Sequence, residues 1–522
     1  MTEKEKQINI WLNQIADELN ITPTMLDKAV KSYTAVGTWL SDGIPYDVKI
    51  TPQGSMNLGT VIRPITEKDE YDVDLVCLLK NGGMLPLGRV KGLVGDRLKA
   101  HGTYKQMLQE EGKRCWTMQY DEFHMDILPC VPRNTYYIEP YLTAIKLTHK
   151  NEWGGYEPRF SDPYAYHAWF EERMKDILHI EKSHYAARNN VDVAKVPTYK
   201  IRTPLQKAIQ LLKRHRDIVF QNNNEDAPIS IIITTLAALS YNGESSVYEA
   251  LCNIINKMPQ FIEVRGTEYW IENPVMHEEN FADKWNEVPK KRTAFMCWIQ
   301  KAKKDLITDP LSCFGQDGIA NQYKQVLGKT PVERAACAIG NATRTARENG
   351  NLYINGLTGG ITATPTEKSK PVKEHTFLAN KNFIPKRKIR LFDQMMTLRV
   401  SYPSASCELR KGTLYWRGKV KPTPLSREYK VTLTYAETQA PKVWVSGEDL
   451  QKIDDEDFPH NYGVDSENNM VQICLYRYRE FTKDKFLANT IIPWTVEWLY
   501  FYEIWLATGE WCGGGEHPGE SE

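Results

Sequence analysis

Residues 51–60 read TPQGSMNLGT, and residues 70–79 read EYDVDLVCLL. Asp72 and Asp74 alternate with Val73 and Leu75 in what otherwise has the pattern of a buried strand. A charge placed in such a run is costly unless something pairs with it. On a strand, residues two apart point to the same face, so both carboxylates aim together from about 7 Å apart. Two like charges so placed repel unless a divalent metal neutralises them. Magnesium suits the task, because it takes a few carboxylates plus substrate phosphates. Two such ions about 3.5–4 Å apart activate a hydroxyl and stabilise a leaving pyrophosphate. The bland alternative is a surface strand with its polar residues outward. Val76 and Leu78 speak against it, because neither face of DVDLVCLL can then be wholly exposed.

A third carboxylate completes this arrangement. FHMDIL at 123–128 supplies Asp126, again flanked by apolar residues, and pairing of adjacent strands brings it to the first two. Upstream, Gly54 lets the backbone approach a triphosphate closely, and Ser55 offers hydroxyl and amide donors at an expected helix start. A lone D-x-D is a weak signal. Gly-Ser ahead of it and a lone Asp on a later strand make a much stronger set. A two-metal nuclease fits less well, since Gly-Ser before the carboxylates serves a triphosphate rather than a phosphodiester.

The totals bound the rest. At 522 residues the chain is too long for one core, and its length suggests about three or four domains. Its 66 basic and 66 acidic side chains cancel, so a long nucleic acid would need a local basic patch. Ten cysteines are scattered without paired metal-ligand spacing; His124 with Cys130 lacks the other half of a zinc set. They read as thiols in a reducing compartment. The first twenty residues carry charges and no apolar signal core, and no stretch approaches the length of a membrane span. The expectation is a cytoplasmic protein with no membrane partner.

Along the chain, residues 5–40 have helical spacing and 45–130 hold short strand-like runs. Residues 165–255 turn helical again, including TPLQKAIQLLKRHRDIVF at 203–220, with Thr203 as N-cap and Pro204 in the first turn. SIIITTLAALS at 230–240 is a second apolar helix, and helical segments are expected through about 345. The stretch 355–390, rich in Gly, Thr, Pro and Lys, reads as a linker or ordered tail. Its cluster Lys386, Arg387, Lys388 and Arg390 is either a phosphate contact or a solvated charge run. Beyond it, ELRKGTLYWRGKVKPTP, EYKVTLTYAE and PKVWVS alternate like antiparallel strands before an aromatic-rich helix at 491–511. The fold class is α+β, with expected domains at 1–160, 161–354 and 392–522 and a linker at 355–391.

The stretch GSMNLGTVIRP…EYDVDLV…HMDILP resembles the nucleotidyltransferase core of the bacterial cGAS-like enzymes, the CD-NTases, within the polymerase-beta-like superfamily. VPTYKIRTPLQKAIQLLKRHRD and PISIIITTLAALS resemble the helices of that family's second lobe, so the likeness covers about 40–345. It implies a cyclic oligonucleotide synthase that makes a cyclic di- or trinucleotide messenger from NTPs in anti-phage defence. By it, Asp72 and Asp74 bind two Mg2+ ions, and Asp126 completes the site and helps deprotonate the attacking ribose hydroxyl. Gly54 and Ser55 hold the triphosphate of ATP, GTP or another NTP, and Lys213 and Ser230 add phosphate contacts. The bland reading of Lys213 is an exposed helix lysine beside Lys207 and Arg214.

A second constellation lies at 457–478, DFPHNYGVDSENNMVQICLYRY, where Cys474 sits in an apolar run. Alone, such a cysteine is most often a small core hydrophobe. The surrounding 392–518 resembles the ubiquitin-conjugating-enzyme-like protein of short CBASS systems. That resemblance implies that Cys474 accepts an acyl group as a thioester. Pro459, His460 and Asn461 resemble the His-Pro-Asn turn of ubiquitin-conjugating enzymes with two residues exchanged; Asn461 is either an oxyanion donor or a turn residue. Cys512, in the Gly-rich end, reads as incidental. KPVKEHTFLANKNF resembles a CD-NTase tail, with Leu378-Ala379 where a terminal glycine is expected, and an internal peptide bond offers no free carboxylate to activate. The implied partners are a CD-NTase tail or conjugation target, an effector that reads the nucleotide product, and further copies in a homo-oligomer. Two other classes compete: a polynucleotide-modifying transferase of the tRNA or antitoxin type, and a silent nucleotide sensor with a docking domain.

Overall fold

The structure is a computed structural model that describes residues 1–66, 70–133, 142–189, 191–195, 201–355, 359–363, 365, 369–372, 387–476 and 480–515. Leu378, Ala379 and Lys386 lie outside the described residues. By contacts the chain divides into two units, Ile15–Ile307 with Val326–Gly328, and Met1–Gln14 with Thr308–Gln325 and Lys329–Glu522. This division differs from the one expected at 354: the helices of 308–348 group with the C-terminal sheet, not with the second lobe.

Helix α1 (Glu3–Glu18) precedes α2 (Pro23–Gly43), which Thr22 caps by accepting from Met25 N. The first unit is built on a sheet of β1 (Val48–Pro52), β2 (Tyr71–Leu79), β3 (Trp116–Gln119), β4 (Phe123–Pro132), β5 (Ile145–Lys150) and β6 (Tyr156–Ser161). Its order is β1-β2-β4-β5-β6, with β3 also on β4; only β2 and β4 run parallel. The alternation in β2 decides which face is which. Tyr71, Val73, Leu75, Cys77 and Leu79 face the main core with Val36 and Leu40 of α2. Val90, Val94 and Leu98 of α4 (Leu87–Lys99) complete that layer. On the other face, Val76 is buried with Cys130, Ile145 and Leu147, and Leu78 packs against them. The aspartates continue this second face, where the short helix α3 (Gly54–Leu58) adjoins them.

The second lobe is helical, as its periodicity indicates: α5 (Pro163–Asn189), α6 (Pro204–Val219) and α7 (Ser230–Ser240). The α6 N-terminus is a full capping box, Thr203 accepting from Gln206 N and Gln206 Oε1 from Thr203 N at 2.9 Å. Residues 204–215 of α6 are all buried, so this helix is a central strut rather than a surface element. Helix does not continue without a break to 345. Glu263–Arg265 pairs with Glu268–Trp270 about a turn with Gly266 at φ +65°, and Glu272–Asn273 pairs with Met276–Asn280.

In the other unit, α8 (Gln316–Leu327) and α9 (Lys329–Glu348) precede a small sheet of Tyr353–Ile354, Ile361–Thr362 and Lys370–Pro371, where the linker was expected. Helix α10 (Leu391–Ser401) leads into an antiparallel sheet. Its strands are β7 (Ser406–Arg410), β8 (Thr413–Val420), β9 (Tyr429–Ala436), β10 (Lys442–Ser446), β11 (Asn461–Asp465) and β12 (Met470–Ile473), in the order β7-β8-β9-β10-β12-β11. Helix α11 (Ile491–Thr508) is buried all round. One side meets the sheet, with Glu503 accepting from Tyr429 OH at 3.0 Å; the other meets α9, through Arg347–Glu497 at 2.6 Å. Among the described residues no helix is long and apolar enough to cross a membrane.

Candidate active site

Strand register puts the carboxylates together. β2 and β4 pair in parallel with Asp74 opposite Asp126 and Asp72 opposite His124. Asp72 sits at the open rim and Asp74 is more enclosed. Burial first, and then the charges of Asp72 and Asp126, push the Asp74 carboxyl up to about 7, against the pull of Lys213. Asp72 is raised by burial and by Asp126, against the opposing pull of His124, Lys213 and Arg216. Asp126 Oδ1 accepts from the Thr117 hydroxyl on β3, and His124 pairs with Glu70. Among the described residues no group of three or more His, Cys, Asp or Glu side chains stands at metal-ligand spacing.

Gly54 is fixed by this cluster. Its φ is +59°, and a Cβ there would lie 2.4 Å from Asp74 Oδ2. Gln53 N donates to Asp74 O at 2.8 Å, so the Gly-Ser turn is fastened to the aspartate strand itself. From the other side α6 holds the segment that follows. Gln206 Nε2 donates to Leu58 O and Gln210 Nε2 to Val61 O, both at 2.9 Å, and Lys213 Nζ donates to Thr60 O at 3.0 Å. These residues recur at helical spacing on one face of α6, so one helix clamps three backbone carbonyls between Leu58 and Val61.

Lys213 is therefore not the exposed helix lysine of the bland reading. It is buried, and that burial, with Arg216 nearby, lowers its ammonium to about 8 against the attraction of Asp217, Asp72 and Asp74. Ser230 opens α7 and accepts from Arg216 Nη1 at 3.0 Å. Gly54, Ser55, Asp72, Asp74, Lys213 and Ser230 all line one pocket of about 380 Å3, with Arg63, Arg216 and Asp217. Arg216 was missed in the sequence; its one signal was its position three residues after Lys213. The pocket thus sets carboxylates against cations, the charge pattern that a metal-bearing polyphosphate requires.

Residues 48–129 match the family model "Cyclic GMP-AMP synthase DncV-like, nucleotidyltransferase domain". The chain is 30% identical over 383 residues to the c-di-GMP synthase of Roseivirga ehrenbergii, covering 71% of this chain and 97% of that protein. The chain is a CD-NTase. The cyclic dinucleotide synthase CdnG of Bradyrhizobium diazoefficiens is 26% identical over 303 residues, which is 54% of this chain and 71% of that protein. The solved structure of that organism's CD-NTase CdnG with GTP superposes with a TM-score of 0.52 at 22% identity, over 64% of this chain and 99% of that one, which shows the shared fold. This CD-NTase carries a second domain, since residues 394–518 match the family model "Type II CBASS E2 protein".

In that domain Cys474 directly follows β12, is half-buried, and donates its N–H to His460 O at 2.7 Å. Burial raises its thiol above the ordinary value, and a hydrogen bond to Tyr462 only partly opposes this. Asn461 Nδ2 donates to Phe458 O at 3.0 Å, which is a turn contact. Cys512 is buried against Cys337, and burial raises both thiols.

Proposed function

We propose that this CD-NTase condenses NTPs, with GTP among them, into a cyclic dinucleotide in a magnesium-dependent reaction at Asp72, Asp74 and Asp126. The observation that supports this most is the pocket in which Gly54, Ser55, Lys213 and Ser230 face Asp72 and Asp74. The c-di-GMP synthase relative and the GTP-bound CdnG structure supply the product class and the base. The oxygen-only donor set fits a hard divalent cation, because the carboxylates raise one another's affinity for positive charge. Magnesium would supply charge neutralisation and Lewis acidity at the phosphates.

The chain's own residues do the remaining work. Gly54 keeps the turn clear so that Ser55 donors meet a phosphate, and the α6 clamp fixes that turn before substrate arrives. Lys213 and Arg216 place positive charge where the triphosphate lies, and Asp126 accepts the proton of the attacking hydroxyl. The product would signal to an effector in the cytoplasm, where NTPs are available. For the E2-like domain the raised Cys474 thiol favours a docking or regulatory role in the resting state. Purified protein with labelled NTPs and magnesium, followed by phosphatase and mass analysis, tests the reading. Phosphatase-resistant cyclic products from the wild type, and none from Asp72→Asn with Asp74→Asn, are expected; label on added RNA, or no turnover, would overturn it.

A further inference from the structure

A second cavity, of about 1000 Å3, shares Gly54, Leu58, Asp74 and Ile231 with the carboxylate pocket. Its far wall comes from the pair Glu272–Asn273 and Met276–Asn280 and the residues that follow. The part-exposed Phe281 of that wall and the exposed Ile229, just before α7, bring apolar surface suited to a base face into the cavity. Set into it is Glu279. Asn273, itself buried, donates from Nδ2 to Glu279 Oε2 at 2.7 Å, while its own Oδ1 accepts from Val275 N at 3.1 Å. The carboxylate is thus held by a fixed amide, and its Oε1 has no hydrogen-bond partner among the described residues. Burial raises Glu279, with Arg114 and Asp283 acting on it in opposite directions.

A carboxylate is an acceptor only, so it complements an edge made of donors. Guanine alone among the four bases offers two adjacent donors, N1–H and the 2-amino group, on one edge. Adenine offers a donor beside an acceptor, and its N1 lone pair would face a carboxylate oxygen. We propose that Glu279 reads the Watson–Crick edge of a guanine base in this cavity and so sets the purine choice at one of the two nucleotide positions. This rests on the proposed cyclic dinucleotide synthesis and adds the residue that selects its base. A site built to hydrogen-bond a donor edge rejects analogues that lack it, because its own polar group is then left unpaired.

The test uses the full chain with magnesium and GTP, ATP or inosine triphosphate. Wild type should use inosine triphosphate, which lacks the 2-amino donor, roughly 10-fold less efficiently than GTP, as expected for loss of one charge-assisted hydrogen bond. Glu279→Gln keeps the size but presents one acceptor and one donor, which match adenine. It should lose roughly 10- to 100-fold in kcat/KM for GTP and gain adenine in the product when both purines are supplied. Misfolding cannot produce a gain of adenine. Equal use of GTP and inosine triphosphate by the wild type overturns the proposal without any variant, and so does a Glu279→Gln enzyme with unchanged base preference. Both leave cyclic synthesis standing. Absence of any cyclic product from the wild type instead removes the synthase reading on which the proposal rests.

Discussion

Asp74 is where function and stability oppose each other most directly, and Asp74→Asn should separate them. Folding raises its carboxyl from the usual 3.8 to about 7, first through burial and then through the charges of Asp72 and Asp126. A raised carboxyl means that the folded state binds the proton more tightly than the unfolded chain does. Below about pH 4 both states hold the proton and nothing is lost. Between there and pH 7 the unfolded chain releases its proton first, so stability falls as pH rises and levels off above about 7. At about 1.4 kcal/mol per tenfold the full span is roughly 4 kcal/mol, and residual solvent access at the site reduces it to about 1–3 kcal/mol. The asparagine variant carries no such charge. In chelator, its melting temperature should exceed that of the wild type by about 2–6 °C at pH 8, with most of the gain gone by pH 5. Synthesis should be lost at every pH. Magnesium with a non-hydrolysable NTP should raise the wild-type melting temperature and leave the variant unmoved. A variant less stable than the wild type at pH 8, or equally shifted by magnesium and nucleotide, would refute the argument that this carboxylate is a strained group awaiting a cation.

Lys213→Ala should raise the NTP concentration needed for half-maximal rate by roughly 10-fold, with a smaller loss of maximal rate. It should also cost about 1–2 kcal/mol of stability, because the Thr60 carbonyl loses its donor; an unchanged NTP requirement in steady-state assays would remove Lys213 from phosphate binding. Cys474→Ala should leave nucleotide synthesis intact and remove any reductant-sensitive higher-mass adduct formed in cells. If adducts and phage protection both survive that change in mass spectra and plaque assays, the thiol is structural.

The strand that carries the paired aspartates was legible because its signal is local. Asp72 and Asp74 interrupt an apolar run, and the same alternation that sets five residues of β2 into the main core fixes the face they share with Val76. Asp126 required one further step, strand pairing, and the register meets it at Asp74. What the sequence hid depends on contacts distant along the chain. Nothing near Lys213 shows that α6 is buried along its length, because Lys207, Lys213 and Arg214 look like a solvated face until their heads are traced to Asp17, Thr60 and Arg63. Long basic side chains bury their stems while their heads find partners, so periodicity alone misplaces them. The wall that holds Glu279 was hidden for a different reason. Its strands are two to five residues long, too short for a period of two to stand out from the helices around them.

The C-terminal domain was expected as a body reached through a linker, and within its own unit polar contacts join it to residues that precede that segment. Glu503, in the middle of α11, is fully buried and accepts from Gln316 N, Arg427 N, Tyr429 OH and Ser426 Oγ, at 2.7 to 3.0 Å. Gln316 accepts from Trp11 Nε1 at 2.8 Å and donates to Thr423, while Asp317 forms a bidentate pair with Arg427. A buried carboxylate is tolerated only when its hydrogen bonds are all in place. Two of its neighbours, Gln316 and through it Trp11, come from before the 355–391 segment. The segment 392–522 by itself would leave Glu503 short of the Gln316 donor and would leave the face of α11 that meets α9 bare. Greasy contacts alone could slide; a satisfied buried carboxylate fixes a single arrangement. In this chain the E2-like fold shares a structural unit with α8 and α9, and Cys474 is presented from a body whose internal geometry that network fixes.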